Sequence, residues 1–378
     1  MSGFYFDALI LSRDEANARI EGPMTKDILI TREGPIGRIR LNRPKAIHAL
    51  TREMCEAMSE TLLAWREDPQ VKVVVIDHAE GRGFCAGGDV VMLAKSGATD
   101  GREANAFFHA EYRLNHLLFT YPKPTVAIMD GITMGGGVGI SLPCRFRVAT
   151  ENTRLAMPET SIGLFPDVGG GWYLSRLPGR VGQFMALTGA RLDGAECRYL
   201  GIATHYVEQA SLPEMVERIG KTPGRVNGAI GNFAAITPDA RIAANLIPIA
   251  RLFASDRLEE VIDCLEKDGG DWAQSELATL KSKSPLSCKV SLRLLAEGAG
   301  RGDFAEEMRA EYALATHVAG THDFIEGVRA LLIDKDNAPQ WEPATPEEVT
   351  DEMLDGLFAP LPDGEEWMPF PAGSSPRA

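Results

Sequence analysis

Cysteine is sparse: six in 378 residues, at Cys55, Cys85, Cys144, Cys197, Cys264 and Cys288. None forms a C-x-x-C pair, so no disulfide framework or paired-thiol motif is indicated. The thiols read as reduced ones in a cytosol-like compartment. Long apolar runs are missing as well; no stretch approaches the ~20 residues of a membrane-spanning helix. The opening residues lack a basic start followed by an apolar core and carry Asp7, Asp14, Glu15 and Glu21 instead, unlike a secretory or transit leader. Together these absences lead to the expectation of a cytoplasmic protein with no membrane partner. Positive charge is short, with 39 Lys and Arg against 53 Asp and Glu and a net charge of −14. That disfavours a nucleic-acid partner or an anionic lipid surface. The seven histidines show no H-E-x-x-H spacing, and no G-x-S-x-G elbow occurs, so zinc and serine-triad hydrolysis are poorly supported. No glycine-rich turn ends in Gly-Lys-Ser/Thr or keeps the G-x-G-x-x-G spacing, which disfavours P-loop and dinucleotide sites.

What is present is the material for a large core: 44% hydrophobic and 24% charged residues, typical of a globular chain. Residues 1–27 read as an N-terminal extension. Segments 28–31 and 36–41 flank Glu33-Gly34-Pro35 and predict a hairpin. Thr51 can cap a helix whose Met54, Met58, Leu62 and Trp65 recur at helical spacing. Residues 71–76 form a continuous apolar strand of the kind buried on both faces. A glycine turn and a helix over 103–119 follow, then a strand over 125–129, a second glycine turn, and strands over 146–149 and 154–156. Strands alternating with helices predict an α/β core over 28–213. Strand signals then fade. Leu258, Ile262 and Leu265 make a helical stripe, Ser284-Pro285 is a helix start, and 324–332 is a further helix, giving a helical C-terminal region over 214–343. From Pro339 the chain is rich in proline and acids and reads as a loose tail, assigned to 344–378.

The chemistry lies in two glycine turns and a few acids. Gly83-Phe84-Cys85-Ala86-Gly87-Gly88-Asp89 and Gly131-Ile132-Thr133-Met134-Gly135-Gly136-Gly137-Val138-Gly139 each join a strand to a helix start. Glycine lets backbone approach a ligand and aim N–H groups at it, and a helix start adds partial positive charge. Two such turns facing one point would make an oxyanion hole, where one donor is worth ~2.7–4 kcal/mol to a transition state. For a single turn, tight packing is the more economical reading; two on successive units shift the balance. Glu159 and Asp167 stand eight residues apart, and paired carboxyls can have their pKa values pushed apart for acid and base work. The plainer alternatives are a first-turn acid for Glu159 and a helix cap for Asp167. Glu111 shares a helical stripe with Phe107, Leu114 and Leu118. A carboxylate there needs a task or a partner, such as Arg113 or Arg145, and both readings stay open.

Taken together, Leu41-Asn42-Arg43-Pro44-Lys45-Ala46, Phe84-Cys85-Ala86-Gly87-Gly88-Asp89, Gly135-Gly136-Gly137 and Met157-Pro158-Glu159 resemble the crotonase, or enoyl-CoA hydratase/isomerase, superfamily. The resemblance implies a spiral of ββα units with a helical C-terminal region. Within it, the run from Ala156 to Thr160, Phe165-Pro166-Asp167 and Asp323-Phe324-Ile325-Glu326-Gly327 resemble the 3-hydroxyisobutyryl-CoA hydrolase branch. Hydratases place a catalytic Glu two residues after the glycine triplet. Here that residue is Gly139, which has no acid–base chemistry. The resemblance therefore implies hydrolysis of a 3-hydroxyacyl-CoA thioester, a step of valine breakdown. It puts the N–H groups of Gly88 and Gly136 on the thioester oxygen and makes Glu159 the nucleophile or general base. Asp167 is its assistant, and Glu111, Gly87 and Asp89 stand against the substrate. CoA is part of the substrate, and no metal or other cofactor is implied. The superfamily favours trimers and hexamers, so a homo-oligomer is one expectation, on which the long C-terminal region bears. Rival readings are a hydratase or isomerase on a related acyl-CoA and a non-catalytic scaffold. His48 departs from the branch, where Asn is usual. Following the hairpin rather than the glycine turns, it is not expected to abolish activity.

Overall fold

The structure is a computed structural model describing residues 19–20 and 26–371. The expected extension over 1–27 falls almost wholly outside the described residues. Strand β1 (Arg19–Ile20) pairs antiparallel with β2 (Ile28–Glu33), which forms the expected hairpin with β3 (Ile36–Leu41). Helix α1 (Arg52–Glu67) starts where Thr51 accepts the N–H of Met54, and it buries Met54, Met58, Leu62 and Trp65.

A repeating unit then sets in. Strand β4 (Val73–His78) is followed by short β5 (Gly83–Cys85), then α2 (Val90–Gly97) and α3 (Arg102–Phe119). Strand β6 (Thr125–Met129) is followed by β7 (Ile132–Met134) and α4 (Gly136–Ser141). Strand β8 (Phe146–Ala149) is followed by β9 (Arg154–Ala156) and, after a loop, α5 (Gly170–Ser175). Each unit gives one strand to each of two sheets. After α6 (Val181–Thr188) come β10 (Leu192–Asp193), α7 (Gly194–Tyr199) and β11 (His205–Tyr206). The large sheet runs β1-β2-β3-β4-β6-β8-β11 and the small one β10-β9-β7-β5. This is the expected spiral of ββα units. Of the small sheet only β9 was legible: β5 and β7 are three residues long and lie inside the glycine-rich runs, and β10 has two residues.

Strand β4 is apolar over Val73–Ile76 because that stretch faces two cores. Val74 and Ile76 join the main core with α1 and α3. Val73 and Val75 join a second cluster with Met215, Val216 and Ile219 of α8 (Leu212–Lys221) and Val226 and Ile230 of α9 (Val226–Gly231). Thereafter the chain is helical: α10 (Leu246–Leu252), α11 (Leu258–Asp268), α12 (Asp271–Lys281), α13 (Pro285–Gly300), α14 (Phe304–Val318), α15 (His322–Val328) and α16 (Asp351–Leu357). Ser284 caps α13 through the N–H of Ser287. On α11 the buried stripe is Leu258, Val261 and Leu265, and Ile262 is only half-buried. The C-terminal helices pack onto the α/β core, with α13 beside α5 and α14 beside α3.

The expectation of a loose tail is corrected. Trp367 is fully buried and meets the His116 ring at 5.7 Å, and Val349 and Leu354 are buried as well. Arg113 donates to the Met368 carbonyl at 2.8 Å and lies over the Phe370 ring. A few widely spaced apolar anchors hold this segment, too sparse to register as a pattern among the prolines and acids.

Candidate active site

The two glycine turns meet backbone to backbone. A Cβ built on Gly136 would stand 3.3 Å from the Gly87 carbonyl carbon, and one on Gly87 would stand 3.7 Å from the Gly136 nitrogen. Gly87 at φ +121 and Gly135 at φ +47 hold the left-handed conformations these turns need. The first turn is pinned from behind by Leu50, whose N–H reaches the Gly87 carbonyl at 2.7 Å and whose carbonyl takes the N–H of Asp89 at 3.0 Å. In this parallel bridge between Leu50 and Gly88, the flanking residues bond to Leu50, so the Gly88 N–H points away from it. The Gly136 N–H opens α4, where a helix offers no acceptor of its own.

Both turns line a cavity of about 320 Å³, walled by Phe107, Phe108, Leu93 and Leu164, into which Glu111, Glu159 and Asp167 project. Thus α3 carries Glu111, a short 3-10 turn opens at Glu159, and the loop before α5 carries Asp167. All three are at least 95% buried. Glu111 Oε1 and Glu159 Oε2 have no hydrogen-bond partner. The ion-pair reading of Glu111 fails: Arg113 bonds the tail, and Arg145 lies over Phe146. Burial, then Asp167 and Glu159, pushes the Glu111 carboxyl well above its ordinary range. Burial and Asp167 do the same to Glu159. Asp167 is pushed up to about 7 by burial, held back by the hydroxyl of Tyr112, which donates to Oδ2 at 2.9 Å. Three carboxyls so close titrate as one set. The cap reading of Asp167 also fails, since its side chain bonds Tyr112 while Gly169 stands at the helix start.

Gly139 lies where a second acid would be needed, and the space is closed. A Cβ there would come within 2.6 Å of Val168 Cβ and 3.0 Å of Asn115 Nδ2. Val168 itself stands at φ +54, a costly backbone for a β-branched residue, of the kind that gathers at functional sites.

Some expectations are corrected. Asp89 does not line the cavity; it caps α2 through the N–H of Met92 and pairs with Arg43 at 2.9 Å. Gly87 does line it. His48 is not remote from the glycine turns. It is fully buried, its Nδ1 accepts the N–H of Arg43, its Nε2 faces the Glu80 carbonyl, and its own carbonyl receives the Cys85 thiol. Tyr112 was missed, because a tyrosine on a buried helical stripe reads as core. A larger groove of about 950 Å³ shares no residue with the site, and its Arg38, Asp77 and Glu33 are paired with one another. Among the described residues, no group of three or more His, Cys, Asp or Glu side chains is arranged to hold a metal ion. No described helix is long and apolar enough to cross a membrane.

Comparison with known proteins agrees with this architecture. The family model of enoyl-CoA hydratase/isomerase matches residues 36–358. The chain belongs to the enoyl-CoA hydratase/isomerase family. Within the family, it is 44% identical over 342 residues to the mitochondrial 3-hydroxyisobutyryl-CoA hydrolase of Xenopus laevis, covering 88% of this chain and 89% of that one. It is 41% identical over 345 residues to the Homo sapiens protein of the same name, covering 89% of each. Among solved structures of family members, a carnitinyl-CoA dehydratase from Mycobacterium thermoresistibile superposes with TM-score 0.86 at 39% identity, covering 90% of this chain and 98% of that one. An enoyl-CoA hydratase from Rhodobacter sphaeroides 2.4.1 gives 0.84 at 37%, covering 90% and 99%. The hydrolases' names place them in mitochondria, which overturns the expectation of a cytoplasmic chain. Unpaired thiols separate reducing from oxidising compartments, and the mitochondrial matrix is reducing too.

Proposed function

We propose that the chain hydrolyses 3-hydroxyisobutyryl-CoA to 3-hydroxyisobutyrate and CoA. One observation carries the choice of hydrolysis over hydration. The position for a second glutamate is Gly139, sealed by Val168 and Asn115, while Asp167 enters the same cavity as Glu159 from another loop. The hydrolase names of relatives that cover most of the chain support the acyl group.

In this reading the thioester oxygen sits between the N–H groups of Gly88 and Gly136, which stabilise the oxyanion as the carbonyl becomes tetrahedral. Glu159 acts from its ionised form, either attacking the carbonyl carbon or taking a proton from water as the water attacks. The C–O bond forms, the C–S bond breaks, and the thiolate takes a proton from the carboxyl set and leaves as CoA; on the nucleophilic route water then cleaves the mixed anhydride on Glu159, releasing the acid and restoring the carboxyl. Because both carboxyls are held high by burial, Glu159 becomes ionised by passing its proton within the set, with Asp167 as the receiving partner. Glu111 and the two phenylalanines bound the acyl end, where an unpartnered carboxyl oxygen can meet a substrate hydroxyl.

The test is thiol release from 3-hydroxyisobutyryl-CoA by the wild type and by Glu159→Gln, expected to lose about 10²–10⁴-fold in turnover. E159Q turning over like the wild type would end this reading. The dehydratase and hydratase names of the similar structures favour a second reading, reversible water addition. Loss of enoyl absorbance from crotonyl-CoA without thiol release would establish it.

A further inference from the structure

We infer that Glu311, from the C-terminal helical region, is a positioning residue that fixes the loop carrying Asp167; this rests on the reading of Asp167 as a working group. Glu311 lies on α14 and is fully buried. Its Oε2 accepts the N–H of Gly169 at 2.7 Å, and its Oε1 accepts the N–H of Gly171 at 3.0 Å. Helix α5 has no side-chain cap from its own loop, so a carboxylate some 140 residues away in sequence takes that place.

The arrangement matters because of what lies between. Val168, at φ +54, joins Asp167 to Gly169. Such a backbone persists only when the surrounding structure holds it on both sides. On one side Tyr112 holds Asp167 Oδ2 at 2.9 Å, and on the other Glu311 holds Gly169. The same kink places the Val168 side chain against Gly139. Letting go of Gly169 would free Val168 to relax toward an ordinary conformation, swinging Asp167 away from Glu159 and opening the niche beside Gly139.

A buried carboxyl is a costly packing element compared with an apolar one of similar size. Here the cost is raised further by Glu307, one turn earlier and also fully buried, and by Asp167. Glu307 provides the internal contrast. It pairs with Arg301 at 3.1 Å and accepts no hydrogen bond from the loop. The two residues share helix and burial and hydrogen-bond each other, and Glu307 also lies against Gly171, but only Glu311 accepts backbone N–H groups of the segment that carries Asp167.

The experiment is a double-mutant cycle on thiol release, read as kcat and KM separately, with thermal melts confirming that each variant is folded. Glu311→Gln keeps the shape but turns an amide NH₂ toward one of the two backbone donors. It is expected to lower kcat about 10–100-fold, the scale of a misplacement near 1 Å, with KM close to wild type. In the Asp167→Asn background, followed by its residual rate, E311Q is expected to add no further loss, the coupling expected of one residue acting through another. E307Q is expected to lower the melting temperature while keeping kcat near wild type. An equal proportional fall in kcat on adding E311Q to either background would overturn the inference and leave the reading of Asp167 standing. So would a fall in kcat for E307Q matching that of E311Q. D167N at wild-type turnover would overturn both. Should E311Q fail to fold, Glu311→Asp, which keeps the charge and withdraws the oxygens by one methylene, carries the same cycle with a smaller loss in the same direction.

Discussion

Replacing Tyr112 by Phe removes one hydroxyl from the buried site, and its effect can be worked from the structure. The hydroxyl donates to Asp167 Oδ2 at 2.9 Å and favours the ionised carboxylate, partly offsetting the burial that pushes Asp167 up to about 7. A hydrogen bond to a charged group is worth ~1.5–3 kcal/mol. At 1.36 kcal/mol per pKa unit, its loss raises the Asp167 pKa by about 1–2 units. The sign follows from the donor: taking away a group that stabilises the anion makes the acid weaker. If ionised Asp167 is the proton acceptor in hydrolysis, the acid limb of the kcat/KM profile moves from near 7 to about 8–9. At pH 7 the ionised fraction then falls from about one half to about 1–10%, a loss of roughly 5–50-fold. Well above the shifted limb the variant approaches wild-type activity. The assay is thiol release from 3-hydroxyisobutyryl-CoA across pH 5–10. An acid limb left in place, or moved to lower pH, would refute the reasoning. A uniform fall at every pH would show that Tyr112 holds Asp167 in position without setting its charge.

Three other variants test other parts of the account. Gly139→Ala puts a methyl group 2.6 Å from Val168 Cβ; overpacking of this kind costs about 1–3 kcal/mol, so both the melting temperature and hydrolysis should fall, and an unchanged melt would show that the niche is open. The Asp167 carboxyl, held at about 7 against an ordinary 3.8, contributes stability that is present below the ordinary value and lost as pH rises through 7. The wild type should therefore lose more melting temperature between pH 5 and 8 than D167N does, and parallel slopes would contradict this. Trp367→Ala empties a fully buried site in the C-terminal segment and should cost ~3–5 kcal/mol in chemical denaturation; a negligible change would mean that the segment contributes no anchor.

Much of the site was legible because its chemistry depends on residue types with few other uses. Glycine turns after buried strands, a carboxylate on an apolar stripe and a Met-Pro-Glu run each break the local pattern of a core. What was not legible had no such contrast. Tyr112 looks like any other core residue of α3, and only the packing of α3 against the loop before α5 turns its hydroxyl toward Asp167. His48 follows the hairpin in sequence, but the loop from Arg43 to Leu50 folds back behind the first glycine turn. Asp89, adjacent to Gly87 and Gly88 in sequence, is drawn out of the cavity by its cap and by Arg43. The other strands of the small sheet escaped notice because two or three residues are too few to show a period.

From the sequence alone followed the alternation of strands and helices, the hairpin, the caps at Thr51 and Ser284, the two glycine turns and the absence of an acid at position 139. All of these depend on residues near one another in the chain, where spacing and backbone preference act directly. The tertiary structure decided which carboxyls share one cavity, that Val168 closes the space beside Gly139, that Glu311 reaches the Asp167 loop from α14, and that Trp367 anchors the tail. Those outcomes turn on contacts between residues dozens to hundreds of positions apart, which no local pattern encodes. A side chain's burial, its partner and hence its charge are set by whatever the rest of the fold brings against it.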